Sequence, residues 1–128
     1  MFRATKAQTG WELLRHLESP EVINARAKVQ LLTAPPSLDE DTRVALDKVT
    51  RIWDTIGSVI RYGDVPKDML SNTWGGAIVR DWNITLPLVT EIREGFPGAR
   101  SNFQWLADEM DREGWRWESG RIYRIIGR

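Results

Sequence analysis

A chain of 128 residues with 41% hydrophobic and 28% charged side chains has the size and balance of one globular domain, far from the charge-rich composition of disordered segments. Eighteen Lys and Arg balance eighteen Asp and Glu, so no global field exists to gather nucleic acid or anionic membrane. The absence of cysteine excludes disulfides, thiolate metal sites and thiol nucleophiles, and with a single histidine it removes the usual zinc ligands.

No apolar run approaches the roughly 20 residues of a membrane span, and Met1 to Gly10 has no hydrophobic signal core. One cytoplasmic domain over residues 1–128 is expected, with residues 1–8 a flexible N-terminus. Thr9 with Glu12 forms a capping box, and Trp11, Leu14 and Leu17 recur at helical spacing, which predicts a short helix from about Gly10 to Leu17. Ser19-Pro20-Glu21 is a second start signal, and Val22, Ala25, Val29 and Leu32 form its apolar stripe until Ala34-Pro35-Pro36 ends it.

Ser37-Leu38-Asp39-Glu40 opens a third helix, along which Leu46, Val49, Trp53, Ile56 and Ile60 trace one face, widened by Ala45, Ile52 and Val59, until Gly63. Asp64-Val65-Pro66 restarts a helix with Met69, Leu70 and Trp74. There Gly75-Gly76 either interrupts it or admits very close packing. The pattern resumes from Ala77 through Ile78, Trp82, Leu86, Val89 and Ile92, with Pro87 predicting a kink, and Gly95 to Gly98 ends it. Ser101 with Gln104 opens a last helix carrying Phe103, Leu106 and Met110, which Gly114 terminates.

Beyond Gly114 the period changes to two. Trp115-Arg116-Trp117-Glu118 and Ile122-Tyr123-Arg124-Ile125, separated by Ser119-Gly120, read as a small hairpin within an extended tail over 115–128. The expected fold is all-α: a compact bundle of about five to six helices with a small C-terminal extended or hairpin segment.

From Trp11 to Glu113 the order of features resembles a bacterial family catalogued as domain of unknown function, family 4760. The resemblance rests on Ser19-Pro20-Glu21 with Arg26, on Ile52-Trp53-Asp54-Thr55-Ile56 and Ile60-Arg61-Tyr62-Gly63, and on Val79-Arg80-Asp81-Trp82 with Leu86-Pro87-Leu88 and Arg93. It implies a helical fold and a bacterial or phage source, and it carries no functional residues with it. Many relatives look tethered by an N-terminal span that this chain lacks.

Signals of chemistry are few. His16 has no nucleophile or ligand spacing around it and reads as a surface or boundary residue. The acids Asp39-Glu40-Asp41 sit at a helix start, where they suit the macrodipole, and Asp108, Glu109, Asp111 and Glu113 follow no calcium-loop template, so no metal and no cofactor is expected. Asp47 and Asp54 share a helix side, but Arg51 and Arg61 at helical spacings make a surface ion-pair ladder the simpler reading. Gly75-Gly76 lacks the lysine and hydroxyl of a phosphate loop.

The tail holds more aromatic and basic character than a bundle needs. Trp115, Arg116, Trp117, Arg121, Tyr123 and Arg124 are the candidate partner-binding set, for a non-enzymatic interaction module that self-associates or docks on a protein partner. The alternative in which Trp115 and Trp117 fold back over the bundle end stays open. A second reading is a ligand-binding or enzymatic pocket near Gly75-Gly76 built from Asp54, Arg80, Asp81 and Arg93, and a third is nucleic-acid binding by the same tail, disfavoured by the zero net charge.

Overall fold

The structure, a computed structural model, describes residues 12, 15, 17–63 and 65–126. Its elements are α1 (Pro20–Gln30), α2 (Glu40–Tyr62), α3 (Asp68–Gly95), α4 (Ser101–Arg112), β1 (Trp115–Glu118) and β2 (Arg121–Arg124). The expectation of five to six helices is therefore corrected to four among the described residues. The first predicted helix, with Trp11, Leu14 and His16, lies outside the described residues apart from Glu12, Arg15 and the buried Leu17.

The remaining difference has one cause. The two segments expected on either side of Gly75-Gly76 are a single helix of 28 residues, α3, which also runs through Pro87. A glycine in a helix interior costs about 1 kcal/mol relative to alanine, and packing of the hairpin offsets that penalty here. A methyl group on Gly75 would come within 2.1 Å of Trp115 Nε1, and one on Gly76 within 2.1 Å of Ile122 Cγ2. The glycine pair is a seat for the hairpin rather than a joint.

The starts of α1 and α2 follow the capping logic, whereas α3 begins after Lys67 and α4 after Arg100 without a capping side chain. Ser19 and Asp39 stand at the N-caps of α1 and α2, their side chains accepting from the amides of Val22 and Thr42 at 3.4 and 2.8 Å. The α2 boundary thus falls after Asp39 and not at Ser37. Before α4 the cap position is Arg100, a left-handed residue (φ 60°) with no capping side chain. The free amides of Asn102 and Phe103 instead donate to Asp54 Oδ1 of α2, at 3.1 and 3.0 Å. A carboxylate borrowed from another helix serves the positive end of α4.

The predicted stripes become one core. Leu46, Val49, Trp53 and Ile56 of α2, Ile78, Ile84 and Val89 of α3, and Phe103, Leu106 and Met110 of α4 are all buried, with Ala25 and Val29 of α1. Each such aliphatic side chain contributes about 1.5–3 kcal/mol by leaving water. Leu86, expected on the apolar face of α3, is 39% exposed, and Leu88 takes the buried place. The hairpin is antiparallel, with Trp115 opposite Arg124, Arg116 opposite Tyr123, Trp117 opposite Ile122 and Glu118 opposite Arg121. Ser119 and Gly120 both have positive φ (52° and 77°), as a two-residue turn matching strand twist requires.

Where α2 and α4 cross, a methyl on Gly57 would meet the backbone oxygen of Asn102 at 2.4 Å, while nothing lies within 4 Å of one on Gly95. Gly57→Ala should therefore lower the unfolding free energy by about 1–3 kcal/mol despite its better helix propensity, and Gly95→Ala should leave it unchanged or raise it by up to about 1 kcal/mol. Urea denaturation of both variants checks the pair.

Candidate functional site

A charged cluster lies where α1, α2 and α3 meet. Asp81 of α3 has no exposed surface, an expensive position for a carboxylate unless its oxygens are bonded. Its Oδ2 accepts the indole N–H of Trp53 from α2 at 2.8 Å, and its Oδ1 accepts Arg80 Nε at 3.0 Å. Arg26 reaches in from α1 at 7% exposure, its guanidinium 4.6 Å from the ring centre of Trp74 and 6.0 Å from that of Trp53. The planar cation thus stacks on aromatic faces in place of solvent.

Burial pushes the Asp81 carboxyl above its ordinary range, against the opposing pull of Arg80, the Trp53 indole and Arg26. Burial likewise lowers Arg26, a shift opposed by Asp81 and deepened by Arg80. Two hydrogen-bonding atoms in the cluster are buried without an acceptor, Arg26 Nε and Arg80 Nη2.

Of the four residues expected to form a pocket, Arg80 and Asp81 come together here. Asp54 caps α4, and Arg93 holds the turn before that helix, its Nε donating to Ala99 O and its Nη2 to Gln104 Oε1, both at 2.9 Å. The surface over Gly75-Gly76 is covered by Trp115 and Ile122. The expected Asp47–Arg51 pair forms at 2.8 Å, but Arg100 joins it, reaching Asp47 at 3.1 Å and Thr50 Oγ1 at 3.0 Å. Those bonds fix the left-handed Arg100, a conformation that costs an L-residue about 1–2 kcal/mol. Arg61 stacks over Tyr62 and Trp105 at 5.2 and 5.7 Å.

The tail residues divide by strand alternation. Trp115, Trp117 and Arg124 lie on the face turned to α3: Trp115 on Gly75 with its N–H 3.4 Å from Ser71 Oγ, and Arg124 stacked over Trp115 at 4.9 Å and bonded to Asn72 and the Glu113 carbonyl. Arg116, Arg121 and Tyr123 lie on the opposite face, where Arg116 bonds Asp111.

A cleft of about 700 Å³ opens between the end of α1 and the start of α2, floored by Val29, Leu32, Ala45 and Leu46 and rimmed by Lys28 and Asp39. Among the described residues no group of three His, Cys, Asp or Glu side chains is placed to share a metal ion, and no helix is long and apolar enough to cross a membrane.

Residues 1–115 match the family described as a domain of unknown function, DUF4760. The chain belongs to that family. No curated protein and no solved structure matches it. Arg26, Trp53, Arg80 and Asp81, four of the residues on which the sequence resemblance rested, come together with Trp74 in the buried cluster. The match stops at the first residue of β1, leaving the hairpin beyond it.

Sequence reasoning missed Arg26 as a site residue. The signal was there: Arg26 falls between Val22 and Val29 at spacings of four and three, a charge inside an apolar stripe. Breaking this cluster should be costly, since a lost partner leaves buried charge unpaired. Asp81→Asn is expected to destabilise by about 3–5 kcal/mol, against about 1–2 kcal/mol for removing the α4 cap with Asp54→Ala. Equilibrium unfolding at neutral pH ranks the two variants, and equal effects would contradict the assignment of the cluster as the core constraint.

Proposed function

We propose that this domain is a non-enzymatic interaction module whose docking element is the C-terminal hairpin, and that its partner is a second copy of the chain. The observation that carries the reading is the open edge of β2. Ile125 N–H donates to Gly114 O at 2.8 Å, which by the antiparallel alternation makes 114:125, 116:123 and 118:121 the mutually bonded pairs. Ile122 and Arg124 therefore turn their N–H and C=O groups away from β1, along an edge that makes no backbone hydrogen bond to another element among the described residues.

Such an edge templates another strand. Ile122 and Tyr123 are each 40% exposed, and Ile125 and Ile126, just beyond the strand, are 50% and 84% exposed. Pairing β2 with β2 across a two-fold axis, with Tyr123 opposite its own copy, sets Ile122 against Arg124 and Arg121 against Ile125. No arginine then faces an arginine, and the two hairpins merge into one four-stranded sheet, more stable than two isolated strands. The nucleic-acid alternative is weaker, because Trp115 and Trp117 lie on the face turned to α3 and not toward a strand of bases.

Sedimentation velocity over a wide micromolar range should show a concentration-dependent dimer. Tyr123→Lys, on the outer face of the hairpin, sets two ammonium groups together at the axis and should raise the dimer Kd about tenfold, equivalent to roughly 1.4 kcal/mol, while the melting temperature of the dilute monomer stays at the wild-type value. A wild-type chain that stays monomeric at high micromolar concentration, or a variant with unchanged Kd, overturns the proposal.

A further inference from the structure

The cluster around Asp81 holds more positive than negative charge. Arg26 and Arg80 contribute two guanidinium groups, and among the described residues Asp81 is the one carboxylate bonded in the cluster. Both Asp81 oxygens already accept a hydrogen bond, from Trp53 and from Arg80. Arginine does not shed its proton at any ordinary pH, so the imbalance cannot be relieved as it is for a buried lysine or carboxyl group.

A buried, unpaired charge is penalised by several kcal/mol, and each buried N–H without an acceptor adds to that. Arg26 is 93% buried by its 7% exposure, and the side chain of Arg80 is only 12% exposed, so most of each side chain is withdrawn from bulk water. Arg26 Nε and Arg80 Nη2 are the two donors of this cluster that find no partner among the described residues. The aromatic faces of Trp53 and Trp74 screen one side of Arg26 but accept no in-plane hydrogen bond.

We propose that the interior site formed by Arg26 of α1 and Arg80 of α3 binds a compact monovalent anion, a halide or a small carboxylate, which completes the charge balance of the Asp81 cluster. The shared chemistry is one negative charge with acceptors small enough to enter beside two guanidinium edges. A bulky or divalent anion would overfill or overcharge the site. The proposal is independent of hairpin pairing.

The test uses the full chain and three sodium salts at fixed ionic strength, chloride, formate and bulky gluconate, so that general screening is the same in every arm. A ligand that binds the native state raises the melting temperature with its concentration, so chloride or formate should raise it by about 3–6 °C over gluconate. Chloride acting alone identifies a halide site, and formate acting alone identifies a carboxylate site. Arg26→Met should abolish the difference between the salts, and Arg26→Lys, which keeps the charge but loses the planar donor edge, should reduce it. Because either variant could fold poorly, wild-type crystals grown in sodium bromide give a second readout: an anomalous peak within hydrogen-bond distance of Arg26 Nε and Arg80 Nη2 supports a halide at the site. Equal melting temperatures in all three salts, or a salt difference that persists in a folded Arg26→Met, overturn the proposal.

Discussion

The Asp81 carboxylate is bonded at once to the indole of Trp53 on α2 and to Arg80 on its own helix, and it attracts Arg26 from α1. Those bonds are directional where hydrophobic contact is not. Three helices could slide by a turn and still bury apolar stripes, but only one register brings the Trp53 N–H to within 2.8 Å of Asp81 Oδ2. A buried ion pair need not stabilise a fold relative to an apolar replacement, so its contribution here is best understood as selection of one arrangement.

The same economy of polar groups organises the periphery. Asp54 caps α4 in place of a local side chain, Arg93 bonds the turn that leads into it, and Arg100 of that turn bonds Thr50 and Asp47, so α4 is positioned by three tethers to α2 and α3 before its apolar face is counted. Side chains that sequence reading grouped as a reactive pocket are thus distributed between two structural duties. Their hydrogen-bonding capacity is directed toward other residues of the bundle.

Much of this was legible in the chain. The stripes of α2 and α4 placed the correct residues inside, and the period-two alternation after Gly114 became the hairpin, because burial imposes the period of the backbone that carries it. The Gly75-Gly76 pair was ambiguous for a physical reason: helix propensity alone favours a break, and the compensating contacts from Trp115 and Ile122 come from residues some forty positions later. Asp54 was misread for the same kind of reason. Its spacing to Arg61 is local and visible, whereas the amides it caps, those of Asn102 and Phe103, are distant in sequence. The fold class was therefore readable from local pattern, and the roles of the charged residues were not, since each is decided by a partner from another element.

One short stretch of α3 joins the two regions. Trp74 presents its ring to Arg26 on one side of the helix, and the next two residues, Gly75 and Gly76, receive Trp115 and Ile122 on another. Contact at the glycines is at the van der Waals limit, so this turn has no slack in which to absorb a displacement. The ring that faces Arg26 and the seat of the hairpin are thus consecutive residues of one turn, and the close approach of Trp115 and Ile122 explains physically why a helix of 28 residues tolerates two adjacent glycines at its middle.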